Sequence, residues 1–326
     1  MLEKKAILIT GGTGSFGQAF VRYLLGNCDF AKIIVFSRDE LKQHEMAQRY
    51  DDPRMRYFVG DVRDVDRLRL AFAQVDIVIH AAAMKQVPAC EYNPFEAVQT
   101  NILGAENVIR AALDCGVEKT VALSSDKAVN PVNLYGATKM VMERLFVHGN
   151  VYSGCTRSAF SVVRYGNVLG SRGSVVPIFL AQRKSGLLAV TDARMTRFWM
   201  TLEHACQLVM KTLEIMQGGE IVVPADLPAM PIVDLASVIA PEAEIVFFGI
   251  RPGEKLHERL ISPHEVPTTH RYENVYIVGS SLPQHIPGYL VRDDFDYTSE
   301  TAPRISKEEI TRMIGQLPEA KGWRDG

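Results

Sequence analysis

The stretch AILITGGTGSFGQAF, residues 6–20, decides the fold. AILIT (6–10) is too short and too uniformly apolar for a surface helix, so it reads as a buried strand. It runs directly into Gly11, Gly14 and Gly17, and an amphipathic segment near 17–26 follows at once. A tight turn needs positive φ, and a pyrophosphate must approach the backbone. A helix can also lie close on its strand only where no Cβ intervenes. The helix start offers unsatisfied N–H groups and the positive end of its dipole to phosphates. Strand before and helix after are the context that separates a dinucleotide turn from a plain glycine loop. Gly11, Thr13, Gly14, Ser15, Phe16 and Gly17 are therefore assigned to the cofactor.

The same rhythm extends outward. IIVFS (33–37), MRYFVG (55–60), VDIVIHAAA (75–83), TVALSS (120–125) and FSVVRYG (160–166) read as further buried strands. Amphipathic segments near 40–50, 64–73, 94–115 and 133–149 alternate with them. Such alternation predicts an α/β chain, a doubly wound parallel sheet of the Rossmann kind with helices on both faces. After Gly166 the rhythm gives way to Gly- and Pro-punctuated loops, a helix near 203–217 and less regular elements. The expected organisation is an NADP-binding domain over 1–166 and a smaller, mainly nucleotide-sugar-binding C-terminal lobe over 167–326.

Composition narrows the class. The 326 residues balance 36 basic against 38 acidic side chains for a net charge of −2, without the basic footprint of a nucleic-acid binder. Five scattered cysteines (Cys28, Cys90, Cys115, Cys155, Cys206) show no CxxC spacing, which fits reduced thiols and neither a disulfide framework nor a metal site. MLEKKAILITGG reaches glycine too soon for a signal peptide, and no run approaches the ~20 apolar residues of a membrane span. The expectation is a cytoplasmic protein with no nucleic-acid, membrane or metal partner.

The end of the second strand selects the cofactor. An NAD enzyme usually places Asp or Glu there for the ribose 2′-hydroxyl. This strand ends IIVFSRDELK, with Ser37 and Arg38 at that point and Lys42 one helical turn on. A hydroxyl and two cations suit a 2′-phosphate, so NADP is the reading. Asp39 stays open as an NAD ribose ligand if the strand ends two residues later. Asp61, closing the third strand, is a partner for the adenine amino group or else a helix N-cap. Val62, Ala81 and Ala82 are assigned to the same surface, and Lys85 to cofactor or sugar.

Among eleven tyrosines, Tyr135 alone has a lysine, Lys139, four positions on, hence on the same helix face. A neighbouring ammonium is expected to lower the tyrosine pKa from ~10 towards neutrality. The phenolate would take a hydroxyl proton as hydride leaves the same carbon, with Lys139 on the nicotinamide ribose. Ser125, at the preceding strand end, is placed to share that hydroxyl.

TGGTGSFG, HAAAMK, QTNILGAEN (99–107), Tyr135/Lys139 and RYGNVLG resemble the extended short-chain dehydrogenase/reductase superfamily. More narrowly, SRDELKQ (37–43), SSDKAVNPVNLYGATK (124–139), RYGNVLGSRGSVVP (164–177), RMTRFW (194–199) and GIRPGEKLHE (249–258) look like the inverting UDP-N-acetylglucosamine 4,6-dehydratases of pseudaminic acid biosynthesis. The likeness spans residue 6 to about 260 and is weak beyond 264. It implies a lyase that recycles bound NADP and acts on UDP-N-acetylglucosamine. The product implied is UDP-2-acetamido-2,6-dideoxy-β-L-arabino-hexos-4-ulose, formed by a homo-oligomer, dimer or hexamer. Retaining relatives are usually longer, membrane-anchored and carry Met at the tyrosine position, whereas this chain keeps Tyr135.

Epimerases of the superfamily manage with the Tyr, Lys and Ser. A dehydratase must also remove the C5 proton and expel the C6 hydroxyl, which requires a second base and an acid. The resemblance puts Asp126 and Lys127 there, Lys127 as base and Asp126 as acid, with the two roles exchangeable. A lysine base has to be partly neutral, through burial or a second cation. The likeness also implies substrate contacts from Asn167, Ser174, Val175, Thr191, Arg197, Arg251 and Glu254, with both arginines on the diphosphate and Glu254 on the uridine ribose. Two readings compete with dehydration. A UDP-hexose 4-epimerase or reductase would leave Asp126-Lys127 without a role, and a non-catalytic NADP-binding regulator would have no need of Tyr135 and Lys139.

Overall fold

The computed structural model describes residues 2–154, 158–171, 173–280, 285–317 and 320; Cys155 lies outside them. Six strands follow the expected rhythm: β1 (Ala6–Thr10), β2 (Lys32–Ser37), β3 (Met55–Val59), β4 (Ile77–His80), β5 (Lys119–Ser125) and β6 (Ala159–Tyr165). They pair in parallel in the order β3-β2-β1-β4-β5-β6. Thr10 stands opposite both Phe36 of β2 and His80 of β4. The chain reverses its direction of winding between β1 and β4, which opens a crevice at their carboxyl ends. All five residues of β1 are buried, because helices cover both faces of the sheet.

The helices are α1 (Ser15–Asn27), α2 (Glu40–Arg49), α3 (Val65–Phe72), α4 (Val87–Tyr92), α5 (Pro94–Val98), α6 (Gly104–Cys115) and α7 (Leu134–Gly149). The sequence reads 94–115 as one amphipathic segment. In the structure Gln99–Leu103 form a π-helical turn between α5 and α6. Such turns are rare and often lie at functional sites, and this one carries the buried Asn101. Its amide accepts from Met84 N at 2.8 Å and donates to Met84 O at 2.9 Å and Thr138 Oγ1 at 3.0 Å. It thereby ties the loop after β4 to α7.

The later half of the chain is divided. Ile221–Pro224 lies parallel against β6, and Val275–Val278, Thr269–Tyr272 and Tyr289–Leu290 extend the sheet antiparallel to a total of ten strands. Leu202–Ile215 packs beside α1. Residues beyond 166 therefore supply four strands of the main sheet as well as a separate apolar cluster around Trp199, Phe179, Leu235 and Ile310. No helix among the described residues is long and apolar enough to cross a membrane.

Candidate active site

A cleft of about 1070 Å³ runs along the carboxyl ends of the parallel strands, from the glycine turn to the loops after β6. Its size suits a dinucleotide or a nucleotide sugar more than a small metabolite. At one end lies the turn after β1. Gly11 has φ +65°, and a Cβ there would stand 2.8 Å from Ala82 Cα and N. At Gly17 a Cβ would meet Gly12 O at 2.4 Å, so α1 sits on the turn as closely as backbone allows. The N-cap of α1 is Gly14, with no side-chain cap, so its first turn faces the cleft without a protein acceptor from that residue. This cradle fits a pyrophosphate. Thr13, Ser15 and Phe16 line it, and Ala81, Ala82 and Val62 line the same cleft.

Ser37, Arg38 and Lys42 also line the cleft. Gln43 Nε2 donates to Ser37 Oγ at 3.0 Å, which leaves the serine O–H free to donate. Asp39 caps α2 by accepting from Lys42 N at 3.0 Å, and its second oxygen binds Lys42 Nζ. Helix capping thus accounts for Asp39. Asp61 caps no helix, since Asp64 does that for α3. It accepts from Arg63 Nη2 at 2.7 Å and faces Arg38 Nη1 at 3.6 Å. Burial would raise its pKa, but Arg63 and Arg38 together hold it below the ordinary aspartate value.

The reactive groups stand where β5 ends. Asp126–Ala128 form one 3₁₀ turn, and α7 starts at Leu134 under the cap of Asn133, which accepts from Gly136 N at 2.7 Å. A Cβ on Gly136 would lie 2.2 Å from Lys127 O, so α7 presses directly on that turn. Ser125, Lys127, Tyr135 and Lys139 consequently share one cleft wall. Lys139 Nζ donates to Leu123 O at 2.6 Å, and burial lowers its pKa to about 8, with Glu143 opposing the shift. The tyrosine differs from the sequence expectation. Burial pushes Tyr135 up to about 12, while Lys127 and Ser125 pull the other way. Desolvation outweighs the pull of Lys127 and Ser125.

Lys127 also differs from expectation. Its Nζ lies 3.0 Å from Asp126 Oδ1 and 3.4 Å from Glu258 Oε1. Burial favours the neutral amine, but the two carboxylates outweigh it and raise the pKa, so the group is an ammonium rather than a partly neutral base. Asp126 is fully buried behind the wall. Its Oδ1 accepts from Ser125 Oγ at 2.8 Å, and its Oδ2 has no partner. Burial raises its pKa against the opposing pull of Lys127. Glu258 and Lys255, which the sequence reading did not single out, complete this cluster. Their signal was the charge alternation in GEKLHE (253–258), silent about which charge turns inward.

On the substrate side Asn167, Ser174, Arg251, Glu254 and Lys85 all line the cleft. Asn167 Oδ1 and Ser174 Oγ are buried without a protein partner, as ligand-facing polar atoms would be. Arg251 stacks over Phe248, its guanidinium carbon 4.8 Å from the ring centroid. Arg197 is buried apart from the cleft wall. Its guanidinium donates to Thr196 O, Leu256 O and Lys255 O at 2.7, 3.1 and 3.0 Å, so it braces the chain near Glu258 instead of facing a diphosphate. Val175 opens the helix Val175–Gln182, and Thr191 O accepts from Gly249 N at 3.1 Å; neither lines the cleft.

The family model described as polysaccharide biosynthesis protein matches residues 7–280. A Campylobacter jejuni subsp. jejuni serotype O:2 protein named UDP-N-acetylglucosamine 4,6-dehydratase (inverting) is 50% identical over 329 residues, covering 96% of this chain and 98% of its own. A Rickettsia bellii protein named UDP-glucose 4-epimerase is 40% identical over 333 residues, covering 97% of both chains. The X-ray structure of Pen from Bacillus thuringiensis superposes with a TM-score of 0.90 at 38% identity, over 96% of this chain and 98% of that one.

Proposed function

This chain belongs to the polysaccharide biosynthesis family, within the extended short-chain dehydrogenases/reductases, and from that footing we propose that it is an inverting UDP-N-acetylglucosamine 4,6-dehydratase. The observation that carries the reading is the Asp126-Lys127 pair beside Ser125 and Tyr135. C4 oxidation has no use for an acid–base pair there, and elimination of water across C5 and C6 requires one. The product would be the 4-keto-6-deoxy-L-arabino sugar, the first step of pseudaminic acid biosynthesis. A cytoplasmic homo-oligomer, dimer or hexamer, is part of the same proposal.

NADP is the cofactor this reading favours, because Ser37, Arg38 and Lys42 offer donors for a 2′-phosphate while Asp39 is taken up by its helix cap. When bound, the oxidised nicotinamide supplies the hydride acceptor and a fixed positive charge. The chain's residues do the rest. Gly11, Gly14 and Gly17 let backbone approach the pyrophosphate. Lys139 holds the ribose, and Tyr135 and Ser125 hold O4 and move its proton. Lys127 and Asp126 move protons at C5 and O6. Asn167 and Ser174 present their unpaired oxygens to the nucleotide, and Arg251 offers a guanidinium to the diphosphate.

A second reading, UDP-hexose 4-epimerase, is favoured by the Rickettsia likeness and shares Tyr135, Lys139 and Ser125. Mass spectrometry after incubation with UDP-N-acetylglucosamine separates the two. Loss of one water supports dehydration, while isomerisation at unchanged mass would establish the epimerase instead.

A further inference from the structure

Lys127 has two carboxylates within reach, and one ammonium can balance only one buried negative charge without strain. Distance alone would choose Asp126, at 3.0 Å against 3.4 Å for Glu258. The surroundings choose the other. Glu258 is faced by three cations: Lys127, Arg197 Nε at 3.9 Å and Lys255 Nζ at 3.7 Å. Its backbone is pinned as well, Glu258 N donating to Ser299 Oγ at 2.9 Å and Ser299 N to Glu258 O at 2.8 Å. Among the described residues Asp126 pairs with Lys127 alone, Lys255 acting on it from further off, and Tyr135 and Ser125 are its neutral neighbours. Each carboxyl buries one oxygen without a hydrogen bond, Asp126 Oδ2 and Glu258 Oε2, but Lys255 Nζ faces the latter at 3.7 Å. An unpaired oxygen in a dry site costs less as O–H than as carboxylate.

Resting on the dehydratase reading, we propose that Glu258 is the counter-ion of Lys127 and a positioning residue that reserves Asp126, protonated, as the acid for O6. The proton path then closes. Ser125 Oγ donates to Asp126 Oδ1 at 2.8 Å while O4 is oxidised; once the C4 ketone has formed, the carboxyl turns its O–H to that oxygen, and Ser125 takes this proton as it gives its own to O6. Asp126 recovers a proton from Lys127 Nζ, and the freed amine takes the proton from C5. The C5–H and C6–O6 bonds break, a C5=C6 double bond and water form, and the cluster ends with the protons it began with. Glu258 stays ionised throughout, which is why it can sit behind the reacting groups. The opposite pKa directions of the two carboxyls, Asp126 raised by burial and Glu258 lowered by Lys127, Arg197 and Lys255 against its own burial, agree with this division.

The test is Glu258→Gln. With the fixed charge gone, Asp126 becomes the counter-ion of Lys127 and ionises. Water loss should fall about 10²-fold, while C4 oxidation, seen as reduced-nicotinamide absorbance on adding substrate, persists. The residual activity should lose its alkaline limb about 1–3 pH units lower, because the acid now gives up its proton earlier. Glu258→Asp should restore the wild-type limb, and Lys255→Met should shift it the same way as Glu258→Gln by less. An infrared band from a buried carboxylic acid at neutral pH should be present in the wild type and missing from both Asp126→Asn and Glu258→Gln. That band needs no turnover, so it separates this proposal from the dehydratase reading, which fails on its own if the wild type releases no water. A folded Glu258→Gln that keeps the band and an unmoved limb overturns the assignment. If Glu258→Gln does not fold, an unmoved limb in Lys255→Met does so.

Discussion

At the glycine turn the cleft is made of backbone drawn from Gly11 to Gly17; the charged cluster at and behind its other wall joins side chains from Ser125–Lys127, Arg197 and Lys255–Glu258, far apart in sequence. The turn works by leaving atoms out, since each missing Cβ is space that backbone or ligand occupies. The cluster works by placing charge where water cannot screen it, so each group's ionisation depends on the others. Removing an atom group from the cluster should therefore stop chemistry without disturbing binding. Adding one to the turn should do the reverse.

Lys127→Ala tests the cluster with the largest expected effect. Water elimination should drop by about 10²–10⁴ while cofactor affinity stays, because a general base contributes that much and the glycine turn is untouched. Dehydration kinetics beside a cofactor titration read both. Wild-type turnover would remove Lys127 from the mechanism.

Gly17→Ala tests the other end. Its Cβ would sit 2.4 Å from Gly12 O, backbone that can yield only by opening the turn. A cost of about 2–3 kcal/mol, roughly a 10²-fold loss of dinucleotide affinity, is expected. Isothermal titration with NADP⁺ measures it, and an unchanged affinity would mean that the turn does not hold the pyrophosphate.

How much of each region could be read beforehand follows from the same contrast. The glycine turn is contiguous and follows its strand, so spacing alone placed it, and the parallel strand rhythm placed β1 to β6. The cluster was half visible. Asp126 and Lys127 adjoin Ser125, but Glu258 arrives from more than a hundred residues away on a loop whose inward face has no period. Tyr135 was misjudged in its ionisation because an i, i+4 lysine is legible in sequence whereas burial is not. Family likeness puts Arg197 on the diphosphate, yet the carbonyls of Thr196, Lys255 and Leu256 claim it. The strands after Thr269 stayed hidden because short antiparallel edge strands carry weak patterning.

Arg38→Ala is a milder probe of the dinucleotide end. Arg38 is more than half exposed, so the loss for NADP⁺ should be about tenfold, below the full value of a charge-assisted bond, and negligible for NAD⁺. Equal losses for both cofactors would count against the 2′-phosphate site.

The smallest effect is on stability. Lys139 has a folded pKa of about 8, below its ordinary 10.5, so the fold disfavours its charge. That cost is fully present below about pH 8 and fades as pH rises towards 10.5. Lys139→Met should thus be more stable than wild type at neutral pH by on the order of 1 kcal/mol, partly offset by the lost bond to Leu123 O. The difference in melting temperature should shrink on the alkaline side, and activity should be lost throughout. A variant that is less stable than wild type at every pH would show that the bond to Leu123 O outweighs desolvation.

The central claim, that the cluster eliminates water and returns a proton to C5 on the opposite face, is tested most directly in D₂O. UDP-N-acetylglucosamine is incubated with the protein and followed by NMR from the first minutes. The account predicts a 4-keto-6-deoxy sugar of L-arabino configuration carrying deuterium at C5. A D-xylo ketone as the sole early product would contradict inversion, and a C4 epimer with protium at C5 would contradict dehydration itself.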